Sequence, residues 1–413
     1  MILDIKNYLA STSVKKIGLD FGVLFFTFTL PLWTNLNTIA LIVFFVSSIL
    51  YLPWKERVIN FKNNKQILYV FLFLFLTYVF SLFYTDNISF GLRKVEKTLT
   101  LVLIPLFVLT HQKKDFNLKW IFASLGGGLY LAIIVCWAVV FYSIYTNATP
   151  WVQLQYFFKW IYSSWNLSRP LGGHPSYLGV LIVLFVAAVS AGSMFKKFRR
   201  NRVAIILLFV PLLIFLMQTG SRVSLICLGL IGLIYTIKNI SSKSVILFGT
   251  LLVILVGLSY QFDFMGRKFD KMTDFKGEFR FERLERWTNI LEALSDEKSF
   301  LLGVGPGDTR TVYEVAYIEG KHYKALNENY NAHNQYLELL VGAGVVGLFL
   351  FVFLFYKFAL STKLQDVSFH FFIIFIIFSY SESILERSQG VFMFSFLYSM
   401  LYINYCSTKF FKN

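Results

Sequence analysis

Long, nearly charge-free apolar runs recur along the whole chain, and they restrict its fold more than any other feature. Residues 66–83, 203–218 and 245–260 are three of them. Each approaches or reaches the roughly 17–25 residues that a membrane-spanning helix needs. A buried helix in a soluble domain can imitate one such run, but not a whole series. The composition agrees: of 413 residues, 56% are hydrophobic, 19% aromatic and 15% charged. A soluble domain carries about 25% charged residues. Mean hydropathy is +0.62. The expected fold is an all-α polytopic membrane protein.

A formal charge of +16 raises the question of nucleic acid, and the placement of the charges answers it. Basic residues punctuate the apolar runs at Lys15 and Lys16, at Lys55, Arg57, Lys62 and Lys65, and at Lys113, Lys114 and Lys119. They do so again at Lys196, Lys197, Arg199, Arg200 and Arg202, at Lys238 and Lys243, and at Lys357 and Lys363. Cytoplasmic loops of membrane proteins look like this, so the expected partners are lipids and not nucleic acid. Setting these clusters on one side gives spans near 17–33, 36–52, 66–83, 98–110, 119–146, 174–195, 203–219, 222–237, 245–261, 333–356, 367–381 and 389–405. That is about twelve helices with both termini cytoplasmic, in a single membrane domain over residues 1–413. The fourth is short, and residues 91–97 before it read as an interfacial helix. Residues 1–16 are polar and basic, without the pattern of a cleaved signal peptide. Cys136, Cys227 and Cys406 all fall in apolar runs and read as small core residues.

The opposite face then receives residues 147–173, a tight turn at 219–222, residues 381–389 and one long segment, 262–332. The long segment is dense in charge, from Arg267, Lys268 and Asp270 to Arg283, Glu285 and Arg286. Within it Leu284, Trp287, Leu291 and Leu294 recur at helical spacing, as in an amphipathic helix lying on a membrane surface. Gly303, Gly305, Pro306 and Gly307 read as a flexible turn ending that region.

Two residues stand out. Arg222 separates two apolar runs, where a guanidinium is costly unless it meets a cavity or partner; it serves either as an anion ligand or as a snorkelling anchor. His333 stands where the long segment meets the next span. It is either a solvated boundary residue or a side chain placed to take a proton near neutral pH.

The sequence around His333, from Asn331 through Glu338 to Gly342, Gly344 and Gly347, resembles the signature of the O-antigen ligase and polymerase superfamily. Three further segments resemble that family in the same order. Arg169 to Gly179, with Gly173, His174 and Pro175, resembles its entry to a middle helix. Thr219, Gly220, Ser221 and Arg222 resemble its arginine turn. Arg283, Arg286 and Trp287, followed by Phe300 to Gly305, resemble the end of its large periplasmic loop. Residues 382–390, beginning Glu382 and containing Arg387, look like the form common in Bacteroidota members. The resemblance covers residues 169–390.

It implies a GT-C-type, metal-independent, inverting glycosyltransferase of the bacterial inner membrane with its active site facing the periplasm and residues 262–332 as the periplasmic loop between helices 9 and 10. No cofactor is implied. The donor would be an undecaprenyl diphosphate-linked glycan and the acceptor lipid A–core. A growing polymer (polymerase) or a protein hydroxyl (O-oligosaccharyltransferase) are the alternatives within the superfamily. Carried over by position, His333 is the catalytic base, and Arg222 and Arg286 bind the diphosphate, with Arg283, three residues from Arg286, the alternative ligand to it. The residue types suit that chemistry. Arginine offers a fixed fork of donors to phosphate oxygens, and a neutral histidine acting on a hydroxyl contributes about 10²–10⁴-fold.

Arg169 and His174 shape a glycan pocket or simply cap a helix that begins with Pro175. Glu382 and Arg387 pair with each other or contact the glycan. Metal catalysis finds little support: Asp308, Glu314 and Glu319 would serve only if folding gathered them. Gly126, Gly127 and Gly128 read as a helix-packing surface. The rival class is a lipid-linked glycan transporter or flippase, which would more commonly show two similar halves and helices broken at the midplane, whereas here the ionisable candidates gather at one face beside the long segment.

Overall fold

The computed structural model describes residues 12–147, 154–191, 195, 202–238, 282–296, 299–360, 362 and 366–406. All regular structure among them is helical. The main helices are α1 (Val14–Thr29), α2 (Thr34–Tyr51), α3 (Trp54–Phe80), α4 (Ile88–Leu109), α5 (Leu118–Asn147), α6 (Pro175–Ala191) and α7 (Arg202–Thr219). They continue with α8 (Arg222–Lys238), α9 (Glu282–Asp296), α10 (Thr309–Glu319), α11 (Gln335–Ala359), α12 (Val367–Ser381) and α13 (Ser388–Leu401). Helices occupy each expected span except 245–261, which lies outside the described residues, as does the charged stretch 267–281. By length and composition α2, α3 with the turn after it, α5 and α11 are each able to cross a membrane. A fifth span forms if residues 160–171 and α6, bent by 84° to one another, count as one. The chain is a membrane protein.

Two expected boundaries move. The basic cluster Lys55, Arg57, Lys62 and Lys65 was expected in a loop but forms the first turns of α3, a continuous helix of 27 residues. Lys, Arg, Glu and Gln are good helix formers, and the Pro53 carbonyl starts the ladder by accepting from Arg57 N–H at 3.1 Å. Residues 91–97 are likewise no separate interfacial helix; they belong to the 22-residue α4. The reason is a cap from far away in sequence. The Asp308 carboxylate accepts from Thr85 Oγ1 (2.9 Å), Asp86 N (2.7 Å) and Asn87 N (3.0 Å), an arrangement that favours a helix start.

The chain divides into two compact units: residues 1–63, 109–266 and 365–370, and residues 64–108, 267–364 and 371–413. In the first, the three glycines of α5 do what small residues do in membrane helices. A Cβ on Gly128 would collide with the Phe28 carbonyl, and one on Gly126 would lie 2.7 Å from the Phe185 ring. Cys136 and Cys227 are buried free thiols, while the Cys406 side chain lies outside the described residues. A sealed polar cluster also forms in this unit. Ser48 Oγ lies 2.7 Å from His111 Nε2, and Asp115 Oδ2 lies 3.5 Å from His111 Nδ1. Tyr51 Oη donates to Asp115 (2.9 Å), and Arg57 donates to Thr110 Oγ1 (2.9 Å) and to the Ser48 carbonyl (2.7 Å).

In the second unit α9 packs its face of Ile290, Ala293 and Leu294 on Val312, Tyr313, Ala316 and Tyr317 of α10. Of the apolar stripe read from the sequence, Leu294 is buried against α10, while Leu284 and Leu291 stay exposed. The glycine-rich turn is not loose. Gly344 breaks α11 at φ 64°, ψ −166°. Residues 300–304 fill the break: Val304 N donates to the Val341 carbonyl (2.8 Å), and Val345 N to the Phe300 carbonyl (2.9 Å). Gly303, at φ +74°, lies so close that a Cβ would sit 2.6 Å from the Val341 oxygen. Only glycine tolerates both that φ and that approach.

Candidate active site

The site is built on the start of α11. Asn334 caps the helix, its side-chain oxygen accepting from Tyr336 N (3.0 Å) and Leu337 N (3.2 Å). Just before it His333 adopts φ +46°, a conformation costing a non-glycine residue about 1–3 kcal/mol. Neighbours hold it there. Trp287 of α9 donates from Nε1 to the Ala332 carbonyl (2.7 Å), Tyr317 of α10 donates to the Asn331 carbonyl (3.2 Å), and His333 N donates to Asn331 Oδ1 (3.0 Å).

This turn presents the imidazole to a carboxylate. His333 Nδ1 lies 3.3 Å from Glu382 Oε2, with the His333 side chain 23% exposed and that of Glu382 8%. A carboxylate accepts, so Nδ1 donates to it, and in the neutral imidazole the lone pair then belongs to Nε2. The Tyr330 ring meets the His333 ring edge-on at 5.4 Å, and the Arg286 guanidinium sits over the Tyr330 ring at 5.7 Å, a cation–π geometry. Arg283 instead donates to the Ser381 carbonyl at 3.0 Å. Both arginines follow from the α9 register: three residues apart, they share a helix face.

A second, buried set of charges supports the same turn. Lys94 of α4 reaches Glu386 Oε1 (2.8 Å), Glu338 Oε1 (3.3 Å) and Thr309 Oγ1 (3.3 Å). The other oxygen of Glu338 accepts from Ser383 Oγ (3.3 Å), and Ser383 Oγ accepts from Asn334 N (3.2 Å). Burial would raise the Glu386 carboxyl, but Lys94 and Lys97 outweigh it and hold it below its ordinary value. Sequence reading missed Lys94. The signal was there: a lysine entering an apolar helix needs partners, and both partners lie in segments already singled out.

A cavity of about 330 Å³ adjoins this cluster, with Lys94, Tyr313, Tyr330, Asn331 and Arg387 in its wall. The remaining sequence candidates fall as follows. Glu382 turns to His333, while Arg387 lines the cavity. Asp308 is spent on the α4 cap, and Glu314 pairs with Arg310 at 2.7 Å; among the described residues no three acidic, histidine or cysteine side chains gather as a cation site. Arg222, Arg169 and His174 belong to the first unit. Arg222 is exposed and opens α8 after Gly220 at φ +61°. His174 accepts from Ser176 N at 3.3 Å through Nδ1, capping α6, with Trp165 and Tyr177 rings 5.7 and 5.8 Å away. Arg169 is exposed in the short turn before it.

The structure thus places a histidine on a carboxylate, with an arginine stacked on the neighbouring tyrosine, at the start of a helix long and apolar enough to cross a membrane. Residues 205–352 match the model of the O-antigen ligase family, which supports the O-antigen ligase superfamily for this chain. The matched stretch contains Arg222, Arg283, Arg286 and His333. Members are glycosyltransferase-like ligases or polymerases acting on lipid-linked glycans and their acceptors. No curated protein matches the chain.

Proposed function

We propose that this chain is a GT-C-type inverting glycosyltransferase that moves a glycan from undecaprenyl diphosphate to a hydroxyl of lipid A–core. Transfer takes place at the periplasmic face of the inner membrane, in a twelve-span protein with cytoplasmic termini. The observation that carries the reading is the His333–Glu382 pair, with Nδ1 turned to the carboxylate and the imidazole partly open to solvent. His333 Nε2 takes the proton of the acceptor hydroxyl as its oxygen attacks the anomeric carbon. The bond to the diphosphate oxygen breaks on the opposite side, so configuration inverts. Glu382 stabilises the imidazolium that forms. Charge accumulating on the diphosphate meets Arg286 and, by the family resemblance, Arg222; fixed guanidinium donors suit that task. Arg286 is favoured over Arg283 because its guanidinium reaches His333 through the Tyr330 ring, whereas Arg283 is held by the Ser381 carbonyl.

Deleting the gene and resolving lipopolysaccharide on a gel tests this. Loss of long chains with accumulation of lipid-linked polymer is expected. A product one repeat long would identify a polymerase instead, and unchanged lipopolysaccharide with altered glycoproteins a protein-directed transferase.

A further inference from the structure

The cavity beside the His333 turn has a chemistry of its own. Its ionisable wall residues balance: Lys94, Arg310 and Arg387 against Glu314, Glu338 and Glu386. Lys94 is paired with Glu338 and Glu386, and Arg310 with Glu314. The formal charges of the wall therefore cancel, and nothing in it singles out a diphosphate. The wall offers aromatic surface and hydrogen-bonding groups in alternation, from Phe90 and Tyr330 to Asn329 and Asn331. The Tyr313 hydroxyl is buried in it and faces the Glu338 carboxylate, near enough to interact with it but without a well-formed hydrogen bond; the whole side chain is only 4% exposed. A buried hydroxyl held so loosely gains from a better-placed partner. Alternating apolar faces and polar groups are what a pyranose, with its C–H faces and equatorial hydroxyls, requires. A volume of about 330 Å³ is at the small end of ligand pockets, enough for one such unit and not for a chain.

We infer that the cavity formed by α4, α10 and the 325–331 turn is a subsite for one neutral glycosyl unit, placed next to the transfer site by Tyr330. The inference rests on the transferase reading for its purpose. The unit belongs either to the acceptor or to the donor glycan; the chemistry is the same.

The full-length protein in lipid nanodiscs is probed with methyl glucoside, methyl galactoside and methyl mannoside by saturation-transfer NMR, with inorganic pyrophosphate as competitor. At least one glycoside binds the wild type and His333→Ala alike. Glu314→Trp, which fills the cavity from an exposed pair, abolishes the signal. Tyr313→Phe removes one oxygen without changing shape and weakens it about 2–10-fold, the range of a single hydrogen bond. Thermal unfolding of each variant checks that it is folded. The subsite is overturned if no glycoside binds the wild type, if binding survives Glu314→Trp, or if pyrophosphate displaces the sugar. In transfer assays Glu314→Trp raises KM for the acceptor or for the donor, and whichever rises identifies the source; no change in either also overturns the subsite. Glycoside binding by a wild type that transfers nothing leaves the subsite standing and overturns the transferase reading instead.

Discussion

His111 and His333 each stand beside a helix end with a carboxylate at Nδ1, Asp115 at 3.5 Å for one and Glu382 at 3.3 Å for the other. His111 even has a serine hydroxyl 2.7 Å from Nε2, the constellation of a nucleophilic triad. Yet its side chain is 0% exposed and that of His333 is 23%. Arg57 holds the backbone of Ser48 from one side, and the Asp115 carboxylate also caps Gln112 N at 2.8 Å. Every partner of His111 ties down another piece of the first unit, whereas His333 is strained, partly open and adjacent to a cavity. Similar pairwise arrangements thus support opposite readings, and what decides between them is access. Burial lowers the affinity of His111 for a proton below the ordinary value, and Asp115 does not fully offset this.

The largest test of this contrast is substitution of the two histidines. His333→Ala should lower transfer about 10²–10⁴-fold while donor binding and thermal stability hold. His111→Ala should lower the unfolding temperature and leave turnover per folded molecule intact. The reverse pattern would move the active site to the first unit. Next come the arginines. Arg286→Ala should cost about 10²–10³-fold in transfer, the scale of one lost transition-state donor, and Arg283→Ala less. Arg222→Lys keeps charge but loses the fork, so its activity should fall with expression intact; wild-type activity would return Arg222 to the role of an anchor. Smaller still, Glu382→Gln should reduce kcat about 10–100-fold, as for other groups that orient a functional histidine, with KM unchanged and partial rescue by Glu382→Asp. An equal loss of donor binding would make Glu382 a glycan contact. The smallest effect concerns pH. The proton affinity of His111 is lower in the folded protein than in the unfolded chain, so stability is full above about 6.5 and declines as pH falls below it. Thermal unfolding between pH 7 and 5 should show that decline, and His111→Gln should flatten it.

Much of the helical framework was legible because hydropathy and helix length are set by the same bilayer thickness. α2, α5 and α12 begin and end within about two residues of their apolar runs, the usual uncertainty of helix ends. Where the reading slipped, at the start of α4, a distant residue intervened: Asp308 caps that helix. The site was half visible. His333, Arg286 and Glu382 were readable as residue types by family resemblance, but nothing in the sequence pairs His333 with Glu382 across 49 positions. For Lys94 the residue type gave the signal, but its two carboxylates arrive from α11 and from the turn before α13, and only the fold pairs them.

The repair of the α11 break by residues 300–304 bears on how such proteins can be recombined. The loop borrows hydrogen bonds from the helix, and the helix needs the loop to fill its gap. They form one indivisible module, although about forty residues separate their paired positions. Exchanging the charged segment alone between related chains would leave Val341 and Val345 without backbone partners. A graft that keeps residues 299–345 together carries the donors, the acceptors and the strained histidine as a set.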